Sequence, residues 1–447
     1  MKHFWHIFCF IFLLMMPIKM AHASGLIRDA EIENTLNNIM SPLTEVAPEA
    51  SSQIELYIVA DPNLNAFVQG GQNIFIHTGL LQKTKTAEQL AGVLAHELGH
   101  ITGGHLLRSR DAMSEAMIKS LLTSAAVGVA AIASGSDGGS AIAGSLIAGN
   151  QAGMGSLTAF TRTQEAAADQ AALTFLRKAG LVEKGLIEVM QMLSQDEIGA
   201  SDYMRTHPLS RTRIDLLQNR YKNEIATETQ DKAVKRKFSQ YKYDRMRAKI
   251  SGFLNNPQVT LKKYAHETNN VVRMIATSSA LHKGGQGFKA YNQLSAFIKQ
   301  HDKDAFLHDL AGQIALEIGN LDAAIMHYKK AYDYSNQIPL IGASYAQSLI
   351  ATEDKDNMEQ AVQVLKKALR EEKYYIKGFR DLSVAYDRLG KEFYAASASA
   401  QYFKLIGNQN AAVKQATRAL SGLPPTSAEY ILVKDILFFS KQNQNLQ

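Results

Sequence analysis

Cysteine is nearly missing from this chain. Its 447 residues hold one, Cys9, inside an apolar N-terminal segment. No disulfide can brace the remainder, which has to stand on a buried core of its own. Proline is also sparse, with nine residues, and the 30 glycines fall far below a collagen-like content. Neither sign of charge dominates: 48 Lys and Arg against 42 Asp and Glu leave a net +6. That balance offers no basic footprint for nucleic acid. Nor does any apolar run reach the roughly 20 residues that a membrane-spanning helix needs. What remains is a globular composition, 46% hydrophobic and 20% charged, on a length that suits two or three domains.

The N-terminus reads as an export signal. Lys2 supplies a short basic start, Phe4 to Ile18 is almost wholly apolar, and Ala21-His22-Ala23 is a small-x-small cleavage site. An uncleaved anchor is the competing reading, disfavoured because the apolar run is only about 15 residues. Loss of residues 1–23 removes Lys2 and Lys19 and no acid, taking 48 basic residues to 46 against 42 acidic ones, a net +4. Export without cysteine fits a bacterial periplasm.

Residues 28–50 read as a helix followed by a loop with proline. "IELYIVA" (Ile54–Ala60) alternates like a strand, "DPNLNAFVQGGQ" is turn-rich, and "NIFIHTGLL" (Asn73–Leu81) opens with strand character. "TAEQLAGVLAHELGHITGGHLLRS" has helical period, with Thr86 as N-cap and Glu88 close behind. Residues 121–159, rich in Ala, Gly and Ser, read as a small-residue helical hairpin with a flexible tip. Asp137 and the glycines interrupt any spanning run there, while lipid contact stays open. "TRTQEAAADQAALTFLRKAG" (Thr161–Gly180) is helical and stops at its glycine. Pro208 begins or interrupts a helix in "YMRTHPLSRTRIDLL". The basic run Lys232–Lys249 reads as the solvated face of a connecting helix, with anionic lipid as the lesser alternative.

The last third repeats. Gly312, Gly319, Ala324, Tyr328 and Ala331 stand at tetratricopeptide intervals, and Phe379, Leu382, Tyr386, Gly390 and Ala395 match them. The alanine of the second helix recurs at Ala290, Ala324, Ala361 and Ala395, in steps of 34, 37 and 34 residues. One repeat therefore carries three extra residues, placed in "ATEDKD". Small residues at those points let paired helices approach closely, while Tyr328 and Leu365 fill the space beyond.

The chemistry gathers in "AGVLAHELGHITGGH" (Ala91–His105). Four residues of helix turn about 400°, so His96 and His100 lie on one face. Two neutral imidazoles so placed can share a Zn²⁺. Glu97 follows the first of them and can act as general base on a water. Two histidines leave a third ligand to be found. A metzincin spacing puts Gly103 in place but finds Leu106, not His105, at its last position. On a continuing helix His105 stands about 900° from His96, on the opposite face, as a partly exposed bystander. The better candidate is Glu165 in "RTQEAAADQ", on a second helix that could cross the first. Asp169, four residues on, shares its face and could accept the free ring N–H of a ligating histidine. Ala166, Ala167, Ala168, Ala171 and Ala172 imply close packing around these acids.

"HELGH", "FTRTQEAAAD", "THPLSRTR" and the upstream "NAFVQGGQNIFIHTGLL" together resemble the HtpX-type zinc metallopeptidases, relatives of the CAAX prenyl endopeptidases. The resemblance implies a mainly α fold with a small β-sheet: a zincin, gluzincin-like peptidase domain followed by an α-solenoid of tetratricopeptide-like hairpins. The implied order is residues 1–23 as signal, 24–230 as peptidase, 231–265 as connecting helices and 266–447 as repeats. It implies one Zn²⁺ per chain, held by His96, His100 and Glu165, with Glu97 as base and Asp169 behind a ligand. His207 would lie near the metal as fourth ligand and gate, or as an oxyanion stabiliser; a cap before Pro208 is the structural alternative. Arg213, six residues after His207, completes the family's "HP-x-x-x-x-R" and joins Glu97 and His207 in the catalytic set. An edge strand, Asn73, Ile74, Phe75 and Ile76, would pair with extended substrate. His77 is not expected to ligate.

The implied function is a periplasmic endopeptidase that cleaves unfolded or misassembled outer-membrane proteins. Its repeats would hold a client or the beta-barrel assembly machinery, with peripheral membrane contact open and no nucleic acid. The alternative is a chaperone or scaffold that binds assembly intermediates through its repeats, its zinc site largely closed.

Overall fold

The computed structural model describes residues 26–51, 54–69, 72–105, 162–194, 207–208, 211–227 and 238–444. The expected export signal, the segment 121–159 and the start of the basic run from Lys232 lie outside the described residues. Within them the chain is mainly helical with one four-stranded sheet. No helix among the described residues is long and apolar enough to cross a membrane.

The first unit combines strands β1 (Leu26–Ile27), β2 (Glu55–Val59), β3 (Ala66–Gln69) and β4 (Asn73–His77) with a single helical turn, Pro48–Ser51, and six longer helices. These are α1 (Ala30–Glu45), α2 (Thr78–Lys83), α3 (Ala87–Thr102), α4 (162–178), α5 (Lys184–Ser194) and α6 (Arg211–Thr227). Helix α3 starts where Thr86 accepts the Gln89 N–H at 3.2 Å and Gln89 Oε1 accepts the Lys85 N–H at 2.7 Å. This reciprocal cap uses Gln89, not the acidic Glu88. Leu36, Ile39 and Leu43 of α1, Ile74 and Ile76 of β4, and Leu90, Val93, Leu94 and Leu98 of α3 share one core. Helix α3 is thus buried on almost every side, and whatever chemistry it carries is carried inside.

The sheet order is β1-β2-β4-β3. Strand β4 runs parallel to β2 and antiparallel to β3, so Asn73, Ile74, Phe75 and Ile76 have paired neighbours on both sides. That corrects the expectation of an edge strand there. Alternation alone reports a strand's two faces and is silent about its two edges. The edge strand on that side of the sheet is β3, which runs against α3.

The second unit begins with α7 (Gln240–Leu254) and α8 (Pro257–Lys263). Five antiparallel pairs follow: α9 (Asn270–Lys283) with α10 (Gly287–Ile298), α11 (Ala305–Glu317) with α12 (Leu321–Tyr334), α13 (Pro339–Ile350) with α14 (Lys355–Glu371), α15 (Ile376–Arg388) with α16 (Glu392–Leu405), and α17 (Gln409–Leu420) with α18 (Ala428–Gln444). The recurring alanines Ala290, Ala324, Ala361 and Ala395 are all buried and all lie in the second helix of a pair. Gly312 shows why small residues are needed: a Cβ there would come within 2.8 Å of the Tyr328 ring. The turn glycine is replaced by Glu353 at φ 60° in the third pair. The extra residues then appear as one added turn in α14, 17 residues long against 14 in α12.

Helix α7 joins the two units, and here the reading of a solvated basic face fails. Arg245 and Lys249 are buried. Lys249 Nζ stands 2.7 Å from Asp29 Oδ2 and 3.4 Å from Asp309 Oδ2. Arg245 Nε donates to Glu31 at 2.5 Å, and its Nη2 donates to Asp304 at 2.9 Å. Asp29 caps α1 and Asp304 caps α11. Two cations on one helix face therefore hold the start of the first unit against the repeat array. Burial disfavours the Lys249 ammonium, but Asp29, Asp309 and Glu31 overcome it and hold its pKa above the usual lysine range. Lys249→Met leaves those carboxylates buried without their partner and is expected to lower unfolding stability by about 3–5 kcal/mol. Urea denaturation measures this, with the exposed Lys329→Met as a control that changes little.

Candidate metal centre

Helix α3 carries His96, Glu97 and His100, and the first two are fully buried. Helix α4 crosses it where Gly99 leaves room: a Cβ built at Gly99 would stand 2.8 Å from the Ala168 carbonyl oxygen. This close crossing sets Glu165 and Asp169 against His96. The expected alanine packing is one-sided, since Ala168 and Ala172 are buried while Ala166 and Ala167 are exposed. His207 comes in from the short segment ahead of α6.

Donor atoms of His96, His100, Glu165 and His207 all lie within 4.8 Å of one another. His96 Nε2 is 3.1 Å from His100 Nε2 and 3.4 Å from His207 Nδ1. The Glu165 carboxylate stands 3.4 Å from His96 Nε2, 3.2 Å from His100 Nε2 and 3.0 Å from His207 Nδ1. Ligands about 2.0–2.1 Å from a tetrahedral Zn²⁺ are about 3.3–3.4 Å apart, close to these five spacings.

Burial disfavours a charged His96, but Asp169 and Glu165 overcome it and push its pKa up to about 10. At His100 burial prevails over Glu165, and the pKa is pushed down to about 4. Burial opposes the Glu165 carboxylate too, yet hydrogen bonds from His100, His207 and His96 hold it well below the usual range. One divalent cation would answer all four donors at once, and an all-nitrogen and oxygen set suits zinc.

Glu97 stands beside the cluster. Among the described residues neither of its oxygens has a hydrogen-bond partner, and Oε1 lies 3.5 Å from His207 Nε2. Burial pushes its carboxyl above the usual range against the opposing pull of His207 and His96. A buried carboxylate left without a protein partner is suited to taking a proton from a water.

Behind the donors, Asp169 Oδ1 is 3.0 Å from His96 Nδ1. Arg213 grips Asp169 with both arms, Nε to Oδ2 at 2.8 Å and Nη2 to Oδ1 at 2.9 Å. Its Nη1 is 2.9 Å from Glu165 Oε2 and donates to the Pro208 carbonyl at 2.8 Å. The guanidinium is turned toward the protein acceptors Asp169, Glu165 and the Pro208 carbonyl. His77 is buried near Asp61, 3.7 Å away, and outside the donor cluster.

His105 departs most from expectation. Helix α3 ends at Thr102, and Gly104, at φ 60°, turns the chain. His105 is buried, with its Nδ1 3.0 Å from His100 Nδ1. Two glycines after a periodic run are a helix stop. Carrying the helical period through them put His105 on the wrong face.

Residues 27–221 match the model of "Peptidase family M48". A Vibrio cholerae protein named "Putative beta-barrel assembly-enhancing protease" is 24% identical over 415 residues, covering 88% of this chain and 80% of that protein. The Yersinia pestis "Beta-barrel assembly-enhancing protease" is 30% identical over 210 residues, covering 45% of this chain and 41% of that one. "Metalloprotease LoiP" of Escherichia coli is 29% identical over 173 residues, covering 37% of this chain and 61% of that one.

Gly99→Ala drives a methyl into the backbone of α4. It is expected to destabilise the protein by about 1–3 kcal/mol, read as a lower thermal midpoint.

Proposed function

From a chain whose residues 27–221 match the model of peptidase family M48, we propose a periplasmic zinc endopeptidase that cleaves unfolded or misassembled outer-membrane proteins. The observation that carries the reading is the meeting of four donor atoms within 4.8 Å beside the buried carboxylate of Glu97, which has no hydrogen-bond partner among the described residues. His96, His100 and Glu165 would hold the metal, one per chain. When bound, Zn²⁺ supplies a Lewis acid that polarises the scissile carbonyl and lowers the pKa of a water toward about 7.

Glu97 takes a proton from the attacking water and passes it to the leaving amine. Its burial favours the protonated form, which makes the first transfer easier. Asp169, with Oδ1 3.0 Å from His96 Nδ1, favours the proton on that nitrogen and so keeps the Nε2 lone pair directed inward. Arg213 balances Asp169 and Glu165 and ties them to the Pro208 carbonyl. An extended client segment is taken along β3, Ala66–Gln69, an edge strand among the described residues, where main-chain hydrogen bonds need no particular sequence. The names of the Vibrio and Yersinia relatives support outer-membrane barrel proteins as clients, and the helical repeats would hold them or their assembly machinery. The small-x-small pattern at Ala21-His22-Ala23 supports export to the periplasm.

His207 favours a second reading. Its Nδ1 takes the fourth donor place in this conformation, 3.0 Å from Glu165, so a substrate carbonyl can enter only when His207 moves away. A site held closed would leave a chaperone or scaffold built on the repeats.

Glu97→Gln separates the two. The variant is expected to keep stoichiometric zinc while cleavage of an unfolded barrel protein falls roughly 10²–10⁴-fold. Undiminished cleavage with zinc confirmed would overturn the mechanism. Complementation of an assembly defect by Glu97→Gln as fully as by the native chain would favour the scaffold. His207→Ala is expected to raise cleavage if the histidine gates the site, and to lower it if the imidazole stabilises the oxyanion; peptide hydrolysis rates decide.

A further inference from the structure

His105 lies outside the four-donor cluster, yet it faces one of its members. His100 presents Nε2 to the cluster, 3.1 Å from His96 Nε2 and 3.2 Å from Glu165. Its other ring nitrogen, Nδ1, points away and meets His105 Nδ1 at 3.0 Å. The rings stand edge to face, with centroids 5.0 Å apart and planes at 80°. A neutral imidazole that offers its Nε2 lone pair to a metal carries its proton on Nδ1. That proton needs an acceptor, and the His105 Nδ1 lone pair is in place to be one.

Two further features hold the His105 ring there. A Cβ at Gly103 would come within 2.4 Å of His105 Nε2 and 2.8 Å of two ring carbons, so the ring occupies space that only glycine leaves free. The His105 carbonyl accepts a hydrogen bond from Gln164 Nε2 at 2.9 Å. Gln164 is the neighbour of Glu165 on α4. The helix that offers the carboxylate donor thus also fixes the backbone that aims His105.

Resting on the reading of a zinc centre, we propose that His105 is the positioning residue of His100: it accepts the Nδ1–H and fixes both the tautomer and the tilt of the His100 ring. The two helical histidines are then held by unlike partners. His96 is backed by the anion Asp169, at 3.0 Å, and His100 by a neutral imidazole. The difference has a consequence for the metal. A carboxylate partner makes an imidazole a stronger donor and adds negative charge. Glu165 and Asp169 already share a single buried cation, Arg213. A neutral acceptor orients the second ligand without adding another charge, which keeps the metal more electrophilic.

The test measures zinc affinity of the full chain by chelator competition, with the visible spectrum of the cobalt-loaded protein as a second readout. His105→Phe keeps a ring but loses the acceptor, and it is expected to weaken zinc binding roughly 10–100-fold and to shift the cobalt bands. His105→Asn restores an acceptor at the place of Nδ1 and is expected to recover most of the affinity. Gly103→Ala pushes the native His105 off His100 and is expected to match His105→Phe, which keeps the test alive if the bulkier variant does not fold. Native affinity in both His105→Phe and Gly103→Ala would overturn the proposal while leaving the zinc centre standing. Zinc binding that survives His96→Ala undiminished would overturn the zinc centre itself, and this inference with it.

Discussion

The buried guanidinium of Arg213 is the contact on which the metal centre depends. Two carboxylates, Asp169 and Glu165, are sunk among imidazoles in an apolar interior, where each would carry a desolvation cost of several kcal/mol if left alone. Arg213 meets Asp169 through two parallel hydrogen bonds and reaches Glu165 and the Pro208 carbonyl with its remaining arm. Two chain segments, α4 and the stretch from Pro208 to Arg213, are joined by one planar fork, although Asp169 and Arg213 stand 44 residues apart in sequence. A lysine would bring the same charge, but it could not reproduce the paired geometry. From Asp169 the constraint passes to His96, and from Glu165 to the point where all the donors meet.

A similar device works at a larger scale on α7. Arg245 and Lys249 sit between acids of the first unit, Asp29 and Glu31, and acids of the repeat array, Asp304 and Asp309. Two of those acids also cap the helices they begin, so charge pairing and helix termination reinforce each other. With a single cysteine and so no internal disulfide to staple it, the chain joins its parts through buried ionic contacts whose partners are mutually satisfied. Such contacts specify an arrangement more than they stabilise it. They tie the array to the unit that carries the metal centre.

Much of this was legible beforehand, for local reasons. The pairing of His96 with His100 follows from helical pitch, and the buried alanines of the repeats follow from the 34-residue step. Glu165 and Asp169 could be proposed because four residues keep two acids on one helix face. The failures share a cause. Asn73–Ile76 reads as a strand but not as an interior one, because alternation describes faces rather than edges. Arg245 and Lys249 read as solvated, because a lysine's burial depends on acids over 200 residues earlier and about 60 residues later in the chain. His105 was misplaced by extending a helix through two glycines that end it.

The sequence by itself determined which residues could act: two imidazoles and a base at helical spacing, acids on a second helix, and a repeating array of close-packed hairpins. These depend on interactions within a few residues, where covalent geometry leaves little choice. Tertiary structure alone decided that β3 rather than β4 is the edge strand among the described residues, that Arg213 faces both Asp169 and Glu165, and that His105 returns to His100. Each of these rests on a crossing set by how closely two surfaces approach. At Gly99 and Gly103 that approach is measured in a single missing methyl group, a quantity no local period records.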